Sequence, residues 1–221
     1  MAQHAAIFDM DGLLIDSEPL WQEAGIETLS HYGVKLTSQQ YHSSTGLRTP
    51  EWIEHWFHHF RIDPIHAPEA IRTIEDMALE KIRVKGVALP GVDFILQFFK
   101  EKSYRIGLAS SSPMRLIRVV VEKLGIASCI DEICSAGTLA YGKPHPEVFI
   151  NCAAALNVSP LNCIVFEDSF NGLIAAKAAK MKCVVVPASE VFNDPRWAAA
   201  DLKLGSLSNF NELLLDSLQT A

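Results

Sequence analysis

Two aspartates stand two residues apart, ahead of a glycine, in the run Asp9-Met10-Asp11-Gly12. On a strand, residues two apart project to one face, so both carboxylates can address one site where the strand ends. Gly12 permits a sharp departure of the backbone there. Two neighbouring carboxylates repel, and a divalent cation is an economical way to keep both ionised. One could then attack an electrophile while the other shuttles a proton. The same pair would equally serve as loop acids capping the next helix.

Three further stretches offer complementary groups. Ser110, Ser111 and Ser112 precede Pro113, where a hydroxyl and helix N-terminal amides make a seat for phosphate, or an ordinary helix cap. Lys143, between Gly142 and Pro144, can neutralise an oxyanion or a carboxylate, or sit exposed in a turn. Glu167 and Asp168 follow the apolar run Cys163-Ile164-Val165-Phe166 and are hard oxygen donors of the kind Mg²⁺ takes. Helix capping by Asp168 or Ser169 is the ordinary alternative. Each structural explanation stands alone, but together the four stretches supply nucleophile, acid/base, phosphate seat, cation and metal ligands at expected strand ends.

These groups need a scaffold. Short apolar runs at 5–8, 105–110, 130–134, 163–166 and 183–187, with a weaker one at 201–204, predict strands. Helical segments at 113–124, 146–156 and 171–180 alternate with them, and an amphipathic helix is expected from about 208. That alternation predicts an α/β fold with a parallel, Rossmann-like sheet buried on both faces. Residues 17–83 differ: they hold six of the eight histidines, and helices are expected near 20–32, 49–60 and 68–83. The chain therefore divides into a core of 1–16 plus 84–221 and an all-helical insertion of 17–83.

With 221 residues and 49% hydrophobic content the chain can bury a substantial core. Its net charge of −7, with no basic run, argues against a nucleic-acid partner. No apolar stretch is long enough to span a membrane. Three aspartates near the start argue against a signal peptide, so a cytoplasmic protein is expected. The five cysteines lack C-x-x-C spacing and read as reduced, buried thiols.

The ordered set Asp9-x-Asp11-Gly12, Ser110, Lys143 and Glu167-Asp168 resembles the haloacid dehalogenase superfamily across the whole chain. Within it, Asp9 to Trp21 and Phe166-Glu167-Asp168-Ser169 are most similar to sugar-phosphate phosphatases acting on hexitol phosphate or 2-deoxyglucose 6-phosphate. The resemblance implies a Rossmann-like core with an inserted four-helix cap, Mg²⁺ as cofactor, a small phosphate ester as substrate and a monomer. It implies Asp9 as nucleophile and metal ligand, and Asp11 as general acid/base with its carbonyl on the metal. Ser110 and the Ser111 amide would hold phosphoryl oxygens, and Lys143 would bridge phosphate and Asp9. Asp168 would ligate Mg²⁺, with Glu167 ligating directly or through water. In the cap, Thr45-Gly46-Leu47-Arg48 would reach over the site so that Arg48 meets the distal part of the substrate, unless it is an ordinary surface arginine. Glu18 and Trp21 are further specificity candidates. Related mutases carry a cap histidine where Trp21 stands, which favours net hydrolysis.

Three other readings are weaker. Gly137 to Lys143 has P-loop spacing, but Pro144 replaces the Ser or Thr that should bind Mg²⁺. His55, His58 and His59 lack the glutamate of a zinc-protease helix. A phosphoacceptor signalling module would use similar groups, but such modules are much shorter and lack a helical insertion.

Overall fold

The structure is a computed structural model describing residues 3–44 and 46–220. Six strands form one parallel sheet: β1 (Ala5–Phe8), β2 (Arg105–Ser110), β3 (Glu132–Ser135), β4 (Cys163–Glu167), β5 (Lys182–Val185) and β6 (Leu202–Lys203). Their order is β3-β2-β1-β4-β5-β6. Chain direction across the sheet reverses between β1 and β4, and the crevice at such a switch point is where open α/β sheets bind ligands. Phe8 pairs with both Leu108 and Phe166, so β1, β2 and β4 end side by side.

Alternation fixes which side chain faces which layer. Ala6 and Phe8 of β1 and Ile164 and Phe166 of β4 enter one core. Ala5, Ile7, Cys163 and Val165 enter the other. Helices α5 (Val92–Glu101), α6 (Met114–Leu124) and α9 (Glu212–Thr220) supply the first layer. Helices α7 (Glu147–Ala155) and α8 (Phe170–Ala178) supply the second. Gly107 is bare because Cys152 of α7 occupies the space: a Cβ there would lie 2.5 Å from its sulfur.

Between β1 and α5 the described residues form no strand of the sheet. They form α1 (Glu18–Ser30), α2 (Ser38–His42), α3 (Thr49–Phe60) and α4 (Ala67–Lys85). Buried Ala70, Ile74, Ala78 and Ile82 make an i,i+4 stripe along α4. Trp52, Ile53, Trp56 and Phe57 bury the facing side of α3. Aromatic and β-branched residues cost about 0.5 kcal/mol each in helix propensity, whereas burial returns about 1.5–3 kcal/mol per large side chain, so packing decides this helix. The two connectors to the sheet run antiparallel, with the Asp16 N–H donating to Val87 O and the Leu89 N–H to Leu14 O.

Several expected boundaries move. The C-terminal helix starts at Glu212, not near 208, because 207–209 form a tight 3₁₀ turn capped by Ser206. Helices α2 and α5 are additional to the sequence reading. All five cysteines are free thiols, but Cys129 and Cys134 are only half-buried. No described helix is long and apolar enough to cross a membrane.

Phe166 stacks on Phe8 at 4.9 Å between centroids and meets Phe99 and Phe210 edge-on. Phe166→Ala should therefore cost about 3–5 kcal/mol in urea denaturation. Exposed Ile65→Ala should change stability by no more than about 0.5 kcal/mol.

Candidate active site

A cavity lies between the carboxyl ends of the strands and the helical insert, lined by Asp9, Asp11, Ser110, Lys143 and Asp168 among others. β1 ends at Phe8, so Asp9 and Asp11 lie beyond the strand rather than on it. The ladder extends one step further as the Asp9 N–H donates to Phe166 O at 3.0 Å. Gly12 then turns the chain with φ +72°, and any Cβ there would collide with the Asp168 carboxylate. The glycine after the acid pair thus serves both a left-handed turn and close approach of the third acid.

Lys143 joins the three strand ends. Its ammonium donates to Asp9 Oδ1 at 2.5 Å, Glu167 Oε1 at 2.5 Å and Ala109 O at 3.2 Å. Three donors meet three acceptors in a site where the lysine side chain is 2% exposed. The sequence placed Lys143 just after a strand. Instead β3 stops at Ser135, and a 3₁₀ turn (Ala136–Thr138) and loop return the lysine to the middle of the sheet. Glu167 is fully buried, and its Oε2 accepts from the Asp168 and Ser169 amides and the Ser169 hydroxyl, each at 3.0 Å. A Cβ on Gly172 would fall on this carboxyl group.

One ammonium does not neutralise the carboxylates around it. Burial, together with repulsion from Glu167 and Asp11, pushes Asp9 up to about 7 despite the pull of Lys143. Burial and the neighbouring Glu167, Asp9 and Glu18 likewise raise Asp168 well above the carboxylate range. Burial disfavours the Lys143 charge, but Asp9 and Glu167 outweigh it and raise its pKa. Asp9, Glu167 and Asp168 each offer an oxygen, all within 4.8 Å of one another. Hard, anionic oxygens crowded with too little positive charge are a donor set that fits a divalent cation.

Asp11 is held from two sides. Ser17 Oγ and Trp21 Nε1 donate to its Oδ1 at 2.7 and 2.9 Å. Ser112 Oγ at 2.7 Å and, more weakly, Ser110 Oγ at 3.4 Å donate to its Oδ2. Trp21 thus touches an acid of the first motif. Ser17 was missed in the sequence, and Ser112 had only a capping explanation. In fact α6 starts after Pro113 with no side-chain cap. Ser169, by contrast, does cap α8, accepting from the Gly172 N–H at 3.0 Å. Glu18 also lines the cavity, with its Oε2 buried and unpaired. Burial, then Asp11, Asp9 and Asp16, push it up to about 8.

The insert residues require one correction. Arg48 is not a surface arginine: it lines the same cavity as Asp9, Asp11 and Asp168, although its terminal fork is already engaged. It is 9% exposed, and its terminal nitrogens bind Glu51 and three core carbonyls. Gly46 O accepts from Ser111 Oγ at 3.2 Å, while Thr45 lies outside the described residues. His55, His58 and His59 are exposed, the first and last against Trp56, and no metal-ligating cluster among the described residues includes them.

Known proteins resemble this chain in sequence and in fold. The chain is 41% identical to hexitol phosphatase B of Escherichia coli K12 over 205 residues, 92% of each chain. It is 32% identical to a fructose-1-phosphate phosphatase of the same organism, covering 81% of this chain and 94% of that one. In structure it resembles the β-phosphoglucomutase of Clostridium difficile, with a TM-score of 0.85 and 26% identity over 99% of this chain and 98% of that one. The family profile of haloacid dehalogenase-like hydrolases matches residues 6–186, and the chain belongs to that family.

Proposed function

We propose that this protein is a Mg²⁺-dependent phosphatase that hydrolyses small sugar or sugar-alcohol phosphate monoesters through an aspartyl-phosphate at Asp9. The observation that carries the reading is the Asp9 carboxylate, anchored through Oδ1 by Lys143 and facing the same cavity as a separately held Asp11. Asp9 Oδ2 attacks phosphorus as the ester P–O bond breaks, and Asp11 gives its proton to the departing alkoxide. Asp11 then takes a proton from water, whose oxygen attacks phosphorus and releases inorganic phosphate and free Asp9. Ser110 and the Ser111 amide hold phosphoryl oxygens, and Lys143 offsets charge on phosphate and nucleophile. Asp9, Asp168 and the Asp11 carbonyl, with Glu167 directly or through a water, would hold Mg²⁺, which would supply charge neutralisation at the phosphoryl group. Residues 17–83 act as a cap over a core of 1–16 and 84–221, and the enzyme works as a cytoplasmic monomer.

The sugar-phosphate class draws on the relatives whose names specify hexitol and fructose 1-phosphate. Mutase activity is a second reading, favoured by the likeness to β-phosphoglucomutase. Trp21 on Asp11, where related mutases carry histidine, argues for hydrolysis. Incubation of hexose, hexitol and short-chain phosphate esters with Mg²⁺, followed by ³¹P NMR, should show free phosphate. Accumulation of an isomeric sugar phosphate without phosphate release would replace hydrolase by mutase.

Asp9→Asn should lower phosphate release by at least about a thousandfold while the far-UV circular dichroism spectrum still shows a folded protein. Retained turnover in that variant would remove Asp9 as nucleophile. Activity should also vanish in excess chelator. Below about 7 Asp9 is protonated before metal arrives, and Asp168 is raised as well, so the cation must displace protons. Mg²⁺ affinity, read by titration calorimetry, should therefore tighten as pH rises from 6 to 8, by up to about tenfold per unit for each proton displaced. Affinity independent of pH would contradict that coupling.

A further inference from the structure

We propose that Arg48 and Glu51 are positioning residues that fasten the helical insert to residues 136–142 and so hold Lys143 in place against Asp9. The inference rests on the reading of Lys143 as part of the phosphoryl site. Arg48 is the residue before α3, and Glu51 lies in the first turn of that helix. The guanidinium donates to Ala136 O at 3.0 Å, Leu139 O at 2.6 Å and Ala140 O at 3.3 Å. It also pairs with Glu51 Oε1 at 2.6 Å. That same carboxylate oxygen accepts the Gly142 N–H at 3.0 Å. Glu51 Oε2 accepts the Arg48 N–H, which locks the glutamate to its own helix end.

Every core atom in this network belongs to the segment that ends at Lys143. From Ser135 the chain must cross from β3 to the ends of β1 and β4, and no strand carries it there. Arg48 and Glu51 satisfy three carbonyls and one amide along that crossing. Gly142 is required by the same contact, since a Cβ would stand 2.6 Å from Glu51 Oε2 and 2.7 Å from Arg48 Nε. The glycine ahead of the lysine therefore makes room for an arginine and a glutamate from another part of the chain. Other ionic contacts between insert and core, such as Arg115 with Glu75 and Asp76, are more exposed and contribute little. The side chains of Arg48 and Glu51 are 10% and 28% exposed, so their contacts are better shielded from solvent.

This assignment differs in outcome from a substrate-gripping Arg48. A ligand role affects substrates with polar groups far from phosphorus. A positioning role affects every phosphate ester alike, because Lys143 meets the common phosphoryl group. Arg48→Met and Glu51→Gln should be compared with wild type on p-nitrophenyl phosphate and on a sugar phosphate. On both esters kcat should fall by about tenfold with KM changed less than about twofold, the signature of a lost transition-state contribution. Hydrogen–deuterium exchange gives a readout independent of turnover. Peptides covering 136–143 should exchange about tenfold faster in both variants, while peptides covering β4 stay protected. If Arg48→Met loses protection everywhere, the milder Glu51→Gln decides. Unchanged exchange at 136–143 would overturn the proposal, as would loss confined to the sugar phosphate. Faster local exchange in the variants of a protein whose wild type releases no phosphate from any ester would uphold the anchoring and defeat the phosphatase reading instead.

Discussion

A buried ammonium group shared by two carboxylates organises this molecule. Lys143 sits at the ends of three adjacent strands, bonded to Asp9 after β1, the Ala109 carbonyl of β2 and Glu167 of β4. Breaking a buried ion pair by deleting one partner typically costs about 3–5 kcal/mol, because a desolvated charge is left alone. The three side chains are thus mutually dependent, and the loop that brings the lysine is as constrained as any strand. Even so, the cluster retains an excess of negative charge. Burial, together with that excess, raises the acids and leaves a donor set that fits a cation.

Around this cluster, neighbouring groups hold each acid for a different task. Glu167 is held in place by two amides, a hydroxyl and the lysine. Asp11 takes donors from Ser17 and Trp21 on one oxygen and from two serines of the 110–112 run on the other. Because Ser17 and Trp21 both lie within 17–83, two of the bonds orienting Asp11 come from the insert. Asp168 is brought close by Gly12, whose missing side chain is the space the carboxylate occupies. Close approach of backbone and carboxylate explains this glycine and Gly172 alike.

The helical insert meets the core at two levels. Exposed ion pairs join α4 to α6, while the partly buried Arg48–Glu51 pair reaches backbone groups beside Lys143. The first kind is screened by solvent and weak, whereas the second satisfies backbone groups that include those of buried Ala136 and Gly142. Seating of the insert and placement of the lysine are therefore linked through backbone hydrogen bonds.

Much of this was legible in one dimension. Apolar runs with flanking helices predicted the parallel sheet, because period and burial are local properties of a strand. Asp9, Asp11, Ser110 and Asp168 could be singled out because acids and a hydroxyl end or follow those runs, whereas Lys143 stood out by type and reaches the same cavity through a loop. What stayed hidden depended on contacts between distant segments. Arg48 read as a ligand or a surface residue because nothing near it in sequence reveals carbonyls 88–92 residues away. Ser112 meets Asp11 only once β1 and β2 lie side by side, and Trp21 meets it only once α1 lies over the ends of the strands. Residue types and spacing along the chain determined which groups were available for chemistry, since each strand delivers its own end. Packing of the insert on the core decided how those groups are oriented, since hydrogen bonds between segments have no local signature.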